Sequence, residues 1–286
     1  MLTFEEVGAK NSYIYEKMTF SSYIPKLKSN KSTVGIGAKI STLPVGLILI
    51  EKQNVSAKIL SIFVEEKYRN IGIGSELLKE ASKRLKRKKI NSMEVEFCSN
   101  LKEVKAIFKL FLKAGWKGPI KTSIAARCSK ELEASKYLQT NVVFPKNFKV
   151  VKWSKLEKSE EEELAKIRSP KYLNPLENRD KVFAKGSFIL KKDEEVVGWI
   201  ISYDHFVGAD AVDFGKLFIV PKLRDEGLGF QLLLLSLQHY LKIEGESRPG
   251  FFKINLTNRV MMKIYEKMLK PYLLSEDLML KFSTKF

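Results

Sequence analysis

The sequence contains few of the residue types that hold metals and disulfides. Its 286 residues include only two cysteines, Cys98 and Cys128, and two histidines, His205 and His239. The cysteines do not form a C-x-x-C pair, so neither a structural zinc site nor a disulfide framework is predicted. We therefore expect no metal cofactor.

Long apolar runs are missing as well. The longest, residues 43–50 and 232–235, are far shorter than the roughly 18 to 20 residues that a membrane-spanning helix needs. The first residues, MLTFEEVGAK, include early glutamates and lack the apolar segment of a secretory signal. We expect a cytoplasmic protein without a membrane span.

Positive charge, in contrast, is abundant. Lysine and arginine number 51 against 33 aspartates and glutamates, which gives a net charge of +18. Such a charge favours polyanionic partners, among them nucleic acid, acidic protein surfaces and phosphorylated cofactors. The densest basic segment, residues 83–89, falls at the end of a predicted helix. A solvated helix end and a specific phosphate or nucleic-acid site both fit this segment.

The chain contains one internal repeat. Residues 69–74 (RNIGIG) and 224–229 (RDEGLG) both fit R-x-x-G-x-G and start 155 positions apart, the length of one small domain. Each hexapeptide follows an apolar run that predicts a buried strand, at residues 59–64 and 217–220. Each precedes apolar residues at helical spacing. The order strand, glycine loop, helix is therefore duplicated.

The flanking elements repeat too. A hairpin precedes each glycine loop, and a short strand and a second helix follow the first helix of each half. These elements are predicted at residues 34–50, 93–97 and 104–113 in the first half and at 188–203, 251–256 and 260–269 in the second. Between the halves, the polar segment 129–147 contains the predicted linker.

The two hexapeptides resemble the cofactor loop of the GNAT superfamily of acyl-CoA-dependent N-acyltransferases, whose signature is Q/R-x-x-G-x-G/A between a central strand and a helix. Both halves match, with a valine four or five residues before the arginine. The resemblance implies an α/β fold of two tandem GNAT-like domains, each a mixed twisted sheet flanked by helices. We expect these domains at residues 1–135 and 148–286, joined by a linker at 136–147.

The resemblance also implies that acetyl-CoA or another acyl-CoA is the co-substrate. In this family the loop amides hold the CoA pyrophosphate, and the preceding strand pairs its backbone with the pantetheine arm. The residues that match these positions are Arg69, Asn70, Ile71, Gly72, Ile73 and Gly74 in the first half, and Phe218, Ile219, Val220, Arg224, Asp225, Glu226, Gly227, Leu228 and Gly229 in the second. Asp225 and Glu226 would repel a pyrophosphate unless they point to solvent.

A second family motif, N-x-x-A-x-x-x-Y-x-x-x-G-F, lies in the last helix, where the tyrosine protonates the departing CoA thiolate. Asn258 and Tyr265 keep this spacing in the second half, although Leu269 and Lys270 replace the final Gly-Phe. The first half has Phe111 at the tyrosine position. The resemblance therefore implies a catalytic second half, with Asn258 among the cofactor-binding residues, and a degenerate first half.

The attacking amine must lose a proton to a carboxylate, a histidine or water. Asp213, on or just before the central strand of the second repeat, and His205 are the candidate bases, and a water relay is the third possibility. His205 lies with Asp210 in the loop before this strand, and either could overhang the cleft. The comparable region of the first half has Lys58 and no acid.

The predicted function is direct transfer of an acetyl or other acyl group from acyl-CoA to the primary amine of a protein, peptide or small molecule. The positive charge suits an acidic acceptor. Two alternatives stay open, a non-catalytic acyl-CoA-binding or regulatory protein and a basic module associated with nucleic acid.

Overall fold

The computed structural model describes residues 1–29, 31–204, 210–243 and 247–286. The chain forms two compact units. The first consists of Met1–Thr122 and Leu278–Phe286, and the second of Ser123–Asp277. Among the described helices, none is long and apolar enough to cross a lipid bilayer.

The first unit is a mixed sheet with helices. In spatial order its strands are β1 (Leu2–Val7), β2 (Thr33–Ile40), β3 (Leu43–Gln53), β4 (Ser56–Val64), β5 (Ser92–Cys98) and, from Leu278 onward, β12 (Leu273–Lys285). Its helices are α1 (Ile24–Ser29), α2 (Ile73–Arg87) and α3 (Val104–Lys113). Neighbouring strands are antiparallel except for β4 and β5, which are parallel.

The second unit repeats this arrangement. In spatial order its strands are β6 (Lys117–Cys128, from Ser123 onward), β11 (Gly250–Asn255), β10 (Val212–Ile219), β9 (Glu195–Tyr203), β8 (Phe188–Lys192) and β7 (Phe148–Lys152). Its helices are α4 (Lys158–Lys166), α5 (Leu228–Leu241) and α6 (Arg259–Ile264), and a π-helix, Tyr265–Leu269, continues α6. Only β10 and β11 are parallel among these neighbours.

Apolar periodicity explains the elements next to the glycine loops. The buried residues of α2 recur at three- and four-residue spacing, so one face of this helix packs on the sheet. In β5 the buried side chains alternate with partly exposed ones, as in a strand with one covered face. In β3 a continuous run of buried residues marks a strand covered on both faces.

The parallel strands stay paired over only a short distance. Residues Ser56–Ile59 of β4 pair with residues Ser92–Val95 of β5. β10 and β11 pair only at Val212 with Gly250 and at Asp213 with Phe251. Beyond these residues each pair of strands separates, and the backbone of the first strand continues toward the glycine loop with one open edge.

Each unit is completed by a strand from the other repeat. β12, which follows the second repeat's last helix, pairs with β5 from Met279 to Lys285. β6, which follows the first repeat's last helix, pairs with β11 from Ser123 to Cys128. The predicted boundaries at 1–135, 136–147 and 148–286 follow chain order, and the compact units differ from them because of this exchange.

The exchanged strand supplies a central core residue of the first unit. Phe282 is fully buried and stacks on Phe111 and Phe97, with ring centroids 5.5 and 6.2 Å apart. Phe282→Ala should therefore lower the free energy of unfolding by about 3 to 5 kcal/mol. Hydrogen exchange should locate the loss of protection in β5 and α3.

Leu274→Ala, on the same strand with a side chain that is 62% exposed, is the matched control. Chemical denaturation should show a change of less than about 0.5 kcal/mol for this variant. Equal effects of the two substitutions would mean that β12 does not hold the first unit together.

Candidate active site

A glycine with left-handed backbone precedes the helix after each glycine loop. Gly72, the N-cap of α2, has a φ of 98°, and Gly227, the N-cap of α5, has a φ of 72°. A Cβ at either position would meet no atom within 4 Å, so the space there is open. The first amides of a helix have no partner within it and attract anions. Both loops therefore have the shape of a phosphate site.

The arginine of each loop binds the preceding strand. Arg69 Nε donates to the Val64 carbonyl oxygen at 3.0 Å, and Arg224 Nε donates to the Ile219 carbonyl oxygen at 3.1 Å. Each guanidinium also lies within 6 Å of an aromatic ring on that strand. The same contact at the same five-residue spacing fixes the path of both loops. Only Nε of each arginine is used in this way, so each loop offers an anion its backbone amides and the terminal N–H groups of the guanidinium.

The other predicted loop residues differ in exposure. Asp225 and Glu226 are exposed in a 3₁₀ turn. Their carboxylates are therefore open to solvent, which is the arrangement in which they would not repel a nearby pyrophosphate. Ile73 and Leu228 are buried, at 3% and 2% exposure. Their side chains belong to the core, so only their amides can contribute to a binding site.

Only part of the predicted strand segment faces the open edge. The Val220 amide donates to the Val197 carbonyl oxygen of the adjacent strand segment at 2.9 Å. Alternate residues of a strand direct their amides to opposite edges, so Phe218 also faces β9 and Ile219 faces the side that β11 has left. Ile219 is therefore the one of these three residues whose amide is available to a ligand.

Asp213 lies at the last residue pair before β10 and β11 separate. Its Oδ1 is buried and has no hydrogen-bond partner. Burial raises the pKa of the Asp213 carboxyl to about 7, and the charges of Lys253 and Lys216 offset only part of this effect. A β-bulge follows between Asp213 and Lys216. A carboxyl group that titrates near neutral pH therefore lies at the apex of the opening.

The lysine after the bulge is bound elsewhere. Lys216 is 7% exposed, and its Nζ donates to the carbonyl oxygens of Asn174 and Glu177 at 2.7 and 3.3 Å. Tyr203, which pairs with Asp213 across β9 and β10, donates to the Glu177 carbonyl oxygen at 3.2 Å. Burial lowers the pKa of the Lys216 ammonium group. These bonds leave Oδ1 of Asp213 without a donor.

Tyr265 is the first residue of the π-helix that continues α6. Its side chain is fully buried, and its hydroxyl group forms no hydrogen bond of ordinary length and angle, although the Glu276 carboxylate lies near it. Burial, and then the Glu276 carboxylate, raise the pKa of this phenol. The hydroxyl therefore keeps its proton at neutral pH, as a proton donor must. Helix segments of the π type are frequent at functional sites.

Asn258 has a structural role at the same helix. Its Oδ1 accepts a hydrogen bond from the Met261 amide at 3.1 Å and so caps α6. The side chain is exposed. The other predicted candidate, His205, lies outside the described residues.

The first unit lacks these chemical groups at the corresponding positions. Phe111 is fully buried and packs against Trp116, with ring centroids 4.8 Å apart. Lys58 forms an ion pair with Glu96 at 3.6 Å. The backbone features of the site are thus duplicated, whereas the buried carboxyl group and the buried phenol occur at these positions in the second unit.

Four buried side-chain atoms form no hydrogen bond of ordinary length and angle among the described residues. They are Oδ1 of Asp213, the hydroxyl of Tyr265, Nε of Arg127 and Oε1 of Gln231. All four lie in the second unit. Such atoms are rare in folded proteins and call for an explanation, and a bound ligand is one.

Sequence reasoning did not identify two of these residues. Arg127, on β6, lies opposite Phe251, whose other neighbour is Asp213, so Arg127 and Asp213 share one face of the sheet. Gln231 lies in the first turn of α5. Neither belongs to a family motif, and Arg127 comes from a strand of the other repeat. Within the described part of the chain, no cluster of His, Cys, Asp or Glu could hold a metal ion.

Two acetyltransferase family models match the chain, one in each half. A model described as an acetyltransferase (GNAT) domain matches residues 5–117, and one described as the acetyltransferase (GNAT) family matches residues 151–269. The chain is a tandem member of the GNAT family. The resemblance inferred from the two glycine loops is confirmed, and so is the α/β fold of two GNAT-like domains.

Solved GNAT structures share this fold over the whole chain. A tandem GNAT protein from the clavulanic acid biosynthesis pathway is 14% identical, with 100% of this chain and 98% of that one covered and a TM-score of 0.71. A glucosamine N-acetyltransferase region of a fungal multi-domain GH3 β-N-acetylglucosaminidase is 12% identical, with 100% and 38% covered and a TM-score of 0.75.

A third structure, a GCN5-related N-acetyltransferase from Sphaerobacter thermophilus, is 9% identical, with 99% of this chain and 95% of that one covered and a TM-score of 0.64. At these identities the likeness concerns the fold alone. No curated protein matches the chain in sequence.

The raised pKa of Asp213 predicts how stability depends on pH. Its carboxyl group has a pKa of about 7 in the folded protein and near the ordinary 3.8 when unfolded. The folded state therefore binds more protons between these values, and stability falls as the pH rises through this window. The Asp213→Asn variant lacks this titration. The free energy of unfolding of the variant minus that of the wild type should therefore increase from about pH 4.5 to about pH 7.5.

Chemical denaturation at the two pH values measures this difference. Asp210→Asn, at an exposed position just before β10, is the matched control and should follow the wild type. A difference between Asp213→Asn and wild type that does not change with pH would contradict the assignment.

Proposed function

We propose that the second half of this GNAT protein transfers an acetyl or other acyl group from acyl-CoA to the primary amine of a protein, peptide or small molecule. One observation carries the proposal. Asp213 and Tyr265, the two side chains suited to moving protons, both have in the second unit a buried polar atom that forms no hydrogen bond of ordinary length and angle. The matching positions of the first unit have Lys58 and Phe111.

The residues around the second loop fit acyl-CoA. Open space lies at Gly227, at the start of α5, where amides would hold the pyrophosphate. The Ile219 amide faces the open edge of β10, where it would pair with the pantetheine arm or polarise the thioester carbonyl. Asp225 and Glu226 are exposed and leave this space clear.

When bound, acyl-CoA supplies the acyl group as a thioester. Asp213 accepts the proton that the amine loses as its nitrogen bonds to the carbonyl carbon. Tyr265 donates its proton to the sulfur as the carbon–sulfur bond breaks, and it regains a proton from solvent. The pKa of about 7 leaves a large share of the Asp213 side chains ionised, and so able to accept a proton, at neutral pH.

The first unit has a supporting role in this proposal. Its loop has the same arginine contact and the same left-handed glycine as the second loop. Phe111 has no proton to donate, and Lys58 is held in an ion pair with Glu96, so neither side chain matches the acid and the base proposed for the second half. We assign this unit to structure and to positioning the acceptor.

Substitution of each loop glycine tests the binding of acyl-CoA. Gly227→Val places a side chain in the open space before α5, and it should weaken CoA binding by at least about tenfold because the phosphate would meet this side chain. Calorimetry measures the affinity. Gly72→Val is the matched variant in the first loop and should leave acyl transfer by the second half intact.

Both variants carry a similar strain of about 1 to 2 kcal/mol from the left-handed backbone, so circular dichroism must first show that each is folded. Unchanged CoA binding in both variants would rule out the glycine loops as the cofactor site.

Removal of the proposed acid tests the catalytic half. Tyr265→Phe should lower turnover by about a hundredfold or more, with little change in CoA affinity, because only the proton for the leaving group is lost. Mass spectrometry of products from a panel of acyl-CoA thioesters and amines measures transfer. Tyr272→Phe, a half-buried tyrosine close by, and Phe111→Tyr are the controls, and neither should impair turnover.

Impaired transfer in Phe111 variants but not in Tyr265→Phe would mean that catalysis takes place in the first half and not in the second. Binding of CoA without transfer to any amine would instead favour the non-catalytic alternative.

A further inference from the structure

The first unit contains a cavity far from its glycine loop. The cavity has a volume of about 590 Å³ and includes the first residues of β4 and β5 in its wall. The glycine loop follows the other end of β4, a strand that is roughly 25 to 30 Å long. The cavity is therefore separate from the acyl-CoA site proposed above.

The cavity wall combines apolar residues with residues that can donate hydrogen bonds. The latter come from β4, β5, β6 and β12 and are Ser56, Ser92, Ser283, Lys117, Lys281 and Lys285, although the Ser56 hydroxyl already donates to the Gln53 carbonyl oxygen. Glu94 is the one carboxylate of the wall, and it pairs with Lys281 at 3.6 Å. Within the described residues, Lys117 and Lys285 form no ion pair. The cavity therefore has an excess of positive charge.

The basic segment noted in the sequence lies at the same end of the first unit's sheet as this cavity. α2 runs back from the glycine loop and ends at Arg87, within residues 83–89. Lys86 Nζ lies 5.7 Å from the ring centroid of Phe286, the residue that follows Lys285 of the cavity wall. The Phe286 amide donates to the Asn91 carbonyl oxygen at 3.0 Å, just before β5. The end of α2 therefore lies at the same end of the sheet as the cavity, although Phe286 packs in the core on the α2 side and successive residues such as Lys285 and Phe286 point to opposite faces.

We propose that this cavity binds the phosphate groups of a nucleotide, either free or within a single strand of RNA. Phosphate oxygens only accept hydrogen bonds, and ammonium and hydroxyl groups are among the donors that proteins use for them. The volume falls in the range of small-molecule sites and exceeds what a lone phosphate needs. The basic segment at the same end of the sheet would attract a longer strand by its long-range positive charge.

Two probes test the site on the full chain. Calorimetry with ADP reports a free nucleotide, and fluorescence anisotropy with a labelled RNA of about 12 nucleotides reports a single strand. The triple variant Lys117→Gln, Lys281→Gln, Lys285→Gln should weaken binding of the true ligand by at least about tenfold. For RNA, the slope of log K against log salt concentration should also fall by about 2.

A second triple variant controls for net charge. Lys10→Gln, Lys17→Gln, Lys31→Gln changes three exposed lysines of the same unit that lie outside the cavity wall. Its affinity should stay within about twofold of wild type. Thermal unfolding shows whether both triple variants are folded. If the triple variant in the cavity wall is not, the single variant Lys117→Gln, at an exposed position, is used as the cavity variant in its place.

The outcomes separate the sources of the phosphate. Binding of ADP without RNA identifies a free nucleotide, and binding of RNA with the expected fall in slope identifies a strand. Four results would overturn the proposal: no binding of either probe, equal weakening by the two triple variants, equal binding of polyglutamate, and loss of probe binding in Gly72→Val or Gly227→Val but not in the cavity variant. The last result would place the probe at a glycine loop. None of these results depends on whether acyl transfer occurs.

Discussion

The candidate active site depends on two parallel strands that remain paired at only two positions. Where β10 and β11 separate, peptide groups that a neighbouring strand would normally satisfy face an open edge. Asp213 lies at the last pair, so both strands bury it, and Ile219 lies further along the free stretch. Arg224 then fixes the turn into the glycine loop from the end of the same strand. The position at which the backbone pairing of β10 and β11 ends therefore sets the positions of Asp213, the Ile219 amide and the second glycine loop.

Duplication has preserved the backbone of this site more closely than its side chains. Both halves have separating parallel strands, an arginine bound to the strand carbonyl and a left-handed glycine before a helix. These features are part of the fold itself, since each stabilises the local chain path. At the positions that match Tyr265 and Asp213, by contrast, the first half has Phe111 in an aromatic core and Lys58 in an ion pair. A side chain there can change while the loops keep their shape.

Local signals in the sequence predict the repeat, the glycine loops, the helices after them and the place of Asp213. Strand exchange leaves no such signal, because β6 and β12 could pair with either β5 or β11 without any change in their own residue pattern. Arg127 was missed for this reason, since its strand comes from the other repeat. The direction of the Val220 amide depends on its pairing with the neighbouring strand segment. The burial of the Tyr265 hydroxyl depends on tertiary packing. The spacing of residues in the sequence predicts neither.

The exchange of strands also has a consequence for synthesis on the ribosome. β5 is made early, yet its neighbour in the sheet is residues 279–285, which leave the ribosome after the whole second repeat. During that interval the first half exposes an unpaired strand edge, the kind of surface that recruits other chains. Non-local pairing of this kind also slows folding. The unit that is translated first is therefore the last to be completed, and nascent chains at this stage are the form of the protein in greatest need of a chaperone.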